Sequence, residues 1–95
     1  KNTDSAVFYS NGIVRFIYSN PNQTSSSVDI YDFAMNHVAH LDNVSVIGSE
    51  TEIIWNGENS SNKDVVNGAY FCRLNINGNK YWTKLLVVNW RNILS

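Results

Sequence analysis

The chain is short of charge, of cysteine and of proline. Asp, Glu, Lys and Arg together make up 16% of its 95 residues, against about a quarter in an average globular domain. The seven Lys and Arg are scattered singly, and the net charge is −1. Binding a phosphate backbone takes clustered basic residues, so no nucleic-acid partner is expected. The lone cysteine, Cys72, cannot close an internal disulfide, which excludes the small secreted domains stapled by such bridges. It sits in an apolar run with no histidine within three residues. A buried, inert thiol is therefore expected there. No stretch reaches the ~18 apolar residues that cross a bilayer as a helix, so no transmembrane segment is expected. The start, Lys1 to Ser5, is polar and lacks a signal-peptide core, so any export signal is expected upstream.

What remains is globular and rich in aromatics. Apolar residues make up 43% and aromatics 13%, and the polar surface falls to 15 Asn and 11 Ser. The length suits one domain spanning residues 1–95, with one core. The periodicity is mostly two. Strand-like segments run from Gly12 to Ser19, Val28 to Phe33, His37 to Leu41, Thr51 to Trp55, Gly68 to Ile76 and Lys80 to Val88. Val44 to Ile47 adds a short seventh. Asn20-Pro21-Asn22 and Asn56-Gly57 break the chain between segments. Asn77-Gly78 joins two long β-rich runs, and its tolerance of positive φ predicts a type I′ hairpin. From Asp32, the residues Phe33, Ala34, Val38 and Leu41 would also line one helical face, with Asp32 as cap. The β-rich surroundings favour strand there. The spacing of short strands and turn residues predicts an all-β, antiparallel sandwich of about seven strands.

Chemistry is sparse. His37 and His40 are three apart, which on a strand places them on opposite faces as surface residues. Asp29 and Asp32 are likewise expected on opposite faces. The sequence carries no phosphate loop, dinucleotide fingerprint or nucleophile elbow, so no enzyme activity, cofactor or metal is expected. The aromatics carry two readings. Trp55 closes an apolar strand and is expected in the core. Tyr81 and Trp82 are neighbours on one strand, so one of them points outward. Trp82 and Trp90 are the candidates for stacking on sugar rings.

Three motifs then fall in a recognisable order. The first is Val28-Asp29-Ile30-Tyr31-Asp32, followed by Val38 and Leu41. The second is Trp55-Asn56-Gly57. The third is Val65-Val66-Asn67-Gly68-Ala69-Tyr70-Phe71-Cys72-Arg73-Leu74, followed by Lys84-Leu85-Leu86-Val87-Val88. Over about residues 12–88 this resembles the Ig-like domain of flagellar hook-capping (FlgD-like) proteins and of the C-terminal sorting domains of type IX (Por) secretion. The resemblance implies an immunoglobulin-like sandwich in which Tyr31, Asp32, Trp55, Gly57, Gly68 and Tyr70 are structural. Ile30, Trp55, Leu74 and Leu86 are then core candidates. Tyr31 and Tyr70 become buried rings whose hydroxyls tie loop backbone. The sequence departs from that pattern where Met35 and Asn62 stand in place of glycines and Asn56 in place of an Asp. Asn36 is expected to take over the bend at Met35. Residues Asn89 to Ser95 continue past the closing strand.

The function implied is that of a non-catalytic C-terminal module of a secreted multidomain bacterial protein. It would sort or anchor that protein at the cell surface, or serve as a structural appendage to a catalytic domain. Its partners would be export machinery or neighbouring domains of the same chain, with Lys84, Leu85, Leu86, Val87 and Val88 as the recognition strand, read at a sheet edge. A second reading is a carbohydrate-binding module with polysaccharide as partner, which needs two or three coplanar exposed rings. A third is a flagellar hook-capping assembly domain.

Overall fold

A computed structural model describes residues 6–9, 14–42 and 45–88, with side chains described for 14–42 and 48–88. The strands are β1 (Ala6–Tyr9), β2 (Val14–Ser19), β3 (Ser26–Tyr31), β4 (His37–Asp42), β5 (Ser45–Ile47), β6 (Glu50–Trp55), β7 (Gly68–Ile76) and β8 (Asn79–Val88). Six of them have six residues or more, while β1 and β5 are short. No helix occurs among the described residues. One sheet has the order β1-β8-β7-β3-β4 and the other β2-β6-β5. All pairings are antiparallel except β1 with β8, which is parallel, so the expected purely antiparallel sandwich is corrected at that one place. β1 also goes beyond the segments read from periodicity. Ala6-Val7-Phe8-Tyr9 is a short, wholly apolar run and cannot display an alternation.

Alternation decides the faces. On β3, Ser26, Val28 and Ile30 point between the sheets. On β7 Tyr70 and Cys72 do so, and on β8 Leu85 and Val87. β2 and β6 answer from the other sheet with Val14, Thr51, Ile53 and Trp55. Val28, Ile30 and Ile53 have no exposed surface at all. Phe16, Tyr18, Val38, Leu41 and Leu74 pack around this cluster. Leu86, expected in the core, is instead 44% exposed. The hairpin register pairs inward-facing Cys72 with Thr83, so 83, 85 and 87 share the inner face and 84 and 86 the outer.

The turns follow their residues. Ile76 pairs directly with Asn79, leaving Asn77-Gly78 as a two-residue loop with φ of 51° and 84°, as type I′ requires. One buried polar group organises the β2–β3 connection. The Asn20 amide donates to the Thr24 carbonyl and the Thr51 hydroxyl and accepts from the Thr24 N–H and hydroxyl. With both ends of the amide satisfied, its burial carries no unpaired donor or acceptor.

The helical alternative from Asp32 is not adopted. Asp32 does act as a cap, but of a turn: its Oδ1 accepts the N–H groups of Ala34 and Asn36 at 2.9 and 2.8 Å. The Met35 N–H returns to the Asp32 carbonyl, and Met35 itself takes φ of 67°. A left-handed residue ends any right-handed helix. The bend therefore sits on Met35, and Asn36 does not take it over. Asn62 does adopt the left-handed conformation, at φ 64°.

Between Ile30 and Tyr31 the pairing with β4 shifts, because Ile30 faces Ala39 while Tyr31 faces His37. Val38 is the extra residue of a β-bulge. The loop after β6 reaches across to it, and both the Ser60 N–H and hydroxyl donate to the Val38 carbonyl, at 3.0 and 3.1 Å.

Two substitutions test this packing. Trp55→Ala empties a fully enclosed site and is expected to cost about 3–5 kcal/mol in urea unfolding; a loss below about 1 kcal/mol would show that the ring does not hold the core. Met35→Gly removes a left-handed side chain that is half exposed. It is expected to stabilise by about 0.5–1 kcal/mol, the steric relief less the added chain entropy. A destabilised variant would mean that Met35 makes a contact worth more than its strain.

Candidate functional site

The three motifs meet at one end of the sandwich. Trp55, the last residue of β6, places its ring 6.0 Å from that of Tyr70, edge to face at 65°. Its Nε1 donates to the Glu58 carbonyl at 2.9 Å. Gly57, at φ 80°, turns the chain so that its carbonyl accepts the Val65 N–H. Between them Glu58 bridges to Asp64, and Asn59 closes the loop by accepting from Ser61 and Lys63. The Tyr70 hydroxyl donates to the Val66 carbonyl at 2.6 Å, with Cys72 two residues on. This is the tyrosine corner of immunoglobulin-type sandwiches, in its usual place at the start of the second-last strand. Burial, and then the charge of Asp32, push the Tyr70 phenol up from its ordinary value. Tyr70 and Asp32 also line a shallow depression with His37, Ser60 and Asp64. Asp32, Trp55, Gly57, Gly68 and Tyr70 are thus brought to one corner. Tyr31 is not a buried ring there. It lies half-buried on the outer face of the sheet, one residue out of phase with inward-facing Ile30.

That outer face is the more chemical surface. Across β4, β3, β7 and β8 the register sets His40, Asp29, Arg73 and Trp82 in one row, and His37, Tyr31, Phe71 and Lys84 in the next. The Arg73 guanidinium lies over both the Tyr31 and Trp82 rings, 5.5 and 5.8 Å from their centroids. Tyr31 meets His37 edge-on at 5.4 Å. Phe33, 72% exposed, stacks on Phe71 at 5.9 Å and 24°. Both histidines converge on Asp29, at 2.9 and 2.8 Å. The expectation that they face opposite ways is corrected by the bulge, since one extra residue turns a three-residue spacing into a same-face pair. Asp29 and Asp32 are not a strand pair either, because Asp32 lies past the end of β3.

β8 is read differently from expectation. Leu85–Val88 pair with β1 on one side, and Leu85–Val87 pair with Gly68–Tyr70 of β7 on the other. The recognition strand is therefore no free edge, and its backbone groups are committed. What it offers outward is side chains: Lys84 and the 44%-exposed Leu86, with Leu85 and Val87 buried. Trp82 is half-buried, tilted 39° to Tyr31 and covered by Arg73. Trp90 lies outside the described residues, as do 89–95. An apolar groove of about 470 Å³ opens between β2 and the start of β8, lined by Phe16, Tyr18, Leu74, Ile76 and Tyr81.

Two features of the chemistry are clear. Burial pushes the Cys72 thiol up to about 12, which fits the inert thiol expected of it. Among the described residues no three His, Cys, Asp or Glu side chains could hold a metal ion. Periodicity alone missed the Asp29 cluster and the Phe33–Phe71 stack. The signal for the first was the bulge, and nothing in a single sequence marks its position.

No protein-family model and no curated protein matches the chain. Among solved structures the chain is similar to FlgD from P. aeruginosa, at 20% identity and a TM-score of 0.57. That similarity covers 81% of this chain and 62% of that one, so the chain spans less than two thirds of that structure's length. It is also similar to the M1 domain from titin, at 13% identity and a TM-score of 0.43, over 93% and 89% of the two chains. A further similarity is to the ZIG-8–RIG-5 IG1–IG1 heterodimer, at 12% and 0.45, over 93% and 83%. The likeness to the first is one of fold. The strand order, β8-β7-β3-β4 facing β2-β6-β5, is itself that of an immunoglobulin-like sandwich.

Tyr70→Phe keeps the ring and deletes only the bond to Val66. It is expected to cost about 1 kcal/mol and to loosen the loop ahead of β7, read as faster amide exchange at residues 64–68. Unchanged stability and exchange would remove the corner from the account.

Proposed function

We propose that this chain is a non-catalytic Ig-like module of a secreted multidomain protein, serving as a C-terminal sorting or anchoring domain of the type IX kind. The observation that carries this reading is the closing strand. β8 buries Leu85 and Val87, has its backbone paired on both sides, and still turns Lys84 and Leu86 outward. Lys84 and Leu86 turn outward on the same sheet face as Phe71, on which the exposed Phe33 stacks, and it is this grouping of apolar side chains, not Leu86 alone, that a docking partner would meet. The motif order supports the same reading, as does the fold shared with FlgD, which equally fits a hook-capping assembly domain. The polysaccharide alternative finds less support. It asks for coplanar open rings, and the Trp82 ring is tilted against Tyr31 and occupied by Arg73.

The test fuses the full chain behind an inert reporter with an export signal, in a host with type IX secretion. The reporter is expected at the cell surface with the native chain, and trapped in the periplasm with Lys84→Glu plus Leu86→Asp. Circular dichroism on that variant must show the fold intact. Equal surface display of both would show that β8 side chains are not read. Display of neither would end the sorting role and leave a structural appendage.

A further inference from the structure

The register of β3 and β4 sets one imidazole between two carboxylates. His40 Nδ1 lies 2.8 Å from Asp29 Oδ1, and its Nε2 lies 3.0 Å from Asp42 Oδ1. A carboxylate oxygen accepts and cannot donate, so both ring nitrogens must carry protons, which only the imidazolium allows. His37 Nε2 reaches the same Asp29 Oδ1 at 2.9 Å, and an Arg73 guanidinium nitrogen lies 3.4 Å from Oδ2. The Asp29 side chain is 13% exposed and that of Asp42 77%. The cluster thus has an enclosed end on β3 and an open end on β4. β4 is the outermost strand of its sheet, and the bulge at Val38 already interrupts its ladder. These side chains therefore supplement backbone pairing where it is thinnest.

We propose that Asp29, His37, His40 and Asp42 form a pH-gated clasp that fastens the edge strand β4 to β3. It is closed while His40 is an imidazolium; loss of the Nε2 proton to solvent frees Asp42, which lies on β4 itself, and takes the charge out of the His40–Asp29 bond that spans β3 and β4, so that fastening weakens. The neutral ring keeps its Nδ1–H on the enclosed Asp29. Its Nε2 lone pair then faces a carboxylate oxygen, and the exposed Asp42 swings away into water. The clasp is independent of what the module sorts or binds.

The direction of each titration fits. The hydrogen bond to Asp29 raises the His40 pKa above its ordinary 6.5, burial opposes this, and Asp42 adds to it. A raised folded-state pKa means stabilisation fully present below 6.5 and lost as pH climbs through the higher folded value. For Asp29 burial is the largest single influence and pushes upward. The bonds from His37 and His40, the His40 charge and Arg73 together outweigh it, holding the carboxyl below its ordinary 3.8. That contribution is present above 3.8 and lost as pH falls through the depressed value. The clasp is closed between these limits. The other charged or titratable groups facing it are Tyr31 on β3, Arg73 on β7 and, one strand further, Lys80 and Lys84 on β8. Asp32 and Asp64 share the depression beside His37.

The experiment is NMR on the whole chain from about pH 5 to about pH 9, a span that brackets histidine titration. It follows the His40 ring and the exchange of β4 amides, corrected for the intrinsic pH dependence. His40 is expected to titrate above 6.5, and His37–Asp42 amides to lose about 2- to 10-fold protection across the same midpoint, the range for one or two exposed ion pairs. β7 amides should show no such step. Asp42→Asn should lower the His40 titration point and shrink the step, and His40→Gln should abolish it. Both substitutions lie on the exposed end, so the test stands even if Asp29→Asn fails to fold. A His40 that titrates at or below 6.5 would overturn the clasp. So would flat β4 protection through its midpoint, or a step that survives in His40→Gln.

Discussion

The sandwich depends on one junction, where the Trp55 indole is clasped between the end of β6 and the start of β7. Its ring abuts Tyr70, its N–H ends on the Glu58 carbonyl, and the Tyr70 hydroxyl ends on Val66. β6 and β7 belong to different sheets, so these few contacts fix how the two sheets face one another. The loop between them is held by Gly57, Asn59 and Asn62, and from it Ser60 reaches over to satisfy the bulge on β4. A buried aromatic ring contributes by area, and its one polar atom by finding a partner inside the same corner. The motifs that resemble the sorting and hook-capping domains are thus parts of one mechanical joint. They specify a fold before they specify any function.

How much of this was legible in the sequence depended on whether the signal was local. The Asn77-Gly78 hairpin, the inward Trp55 and the alternation of β8 each rest on a few adjacent residues, and all are found. The assignment of Leu86 to the core failed because both faces of its strand are apolar, so hydrophobicity could not tell inside from outside. Only the pairing of Cys72 with Thr83 settles it. Tyr31 failed differently: alternation already sets it with Asp29, opposite Val28 and Ile30, and only the resemblance implied that it is buried. The two histidines were misassigned because strict alternation was assumed across Val38. A bulge is one residue of extra chain, and it reverses the facing of everything beyond it. Asp32 was correctly seen as a cap, but a cap opens a helix only if the next residues stay right-handed, and Met35 does not.

The two faces of the five-stranded sheet have divided the work. Inside, apolar residues of alternating strands exclude water. Outside, long side chains satisfy one another: Arg73 lies on Tyr31 and Trp82, Asp29 gathers two histidines, and Phe33 folds back onto Phe71. The Trp82 ring is thereby tilted against Tyr31 and lies under Arg73, and is not an open platform for a sugar. What stays available is the end where Lys84, Leu86, Phe33 and Met35 emerge beside the corner.

The central claim is that Trp55 and Tyr70 act as one unit. A double-mutant cycle with Trp55→Leu, Tyr70→Leu and the pair, followed by urea unfolding, measures this directly. Residues that share one joint should couple by about 0.5–1.5 kcal/mol. The double variant would then lose less than the two single losses added together. Losses that add to within about 0.3 kcal/mol would show that the two rings sit in the same core without depending on each other, and the corner would not be what joins the sheets.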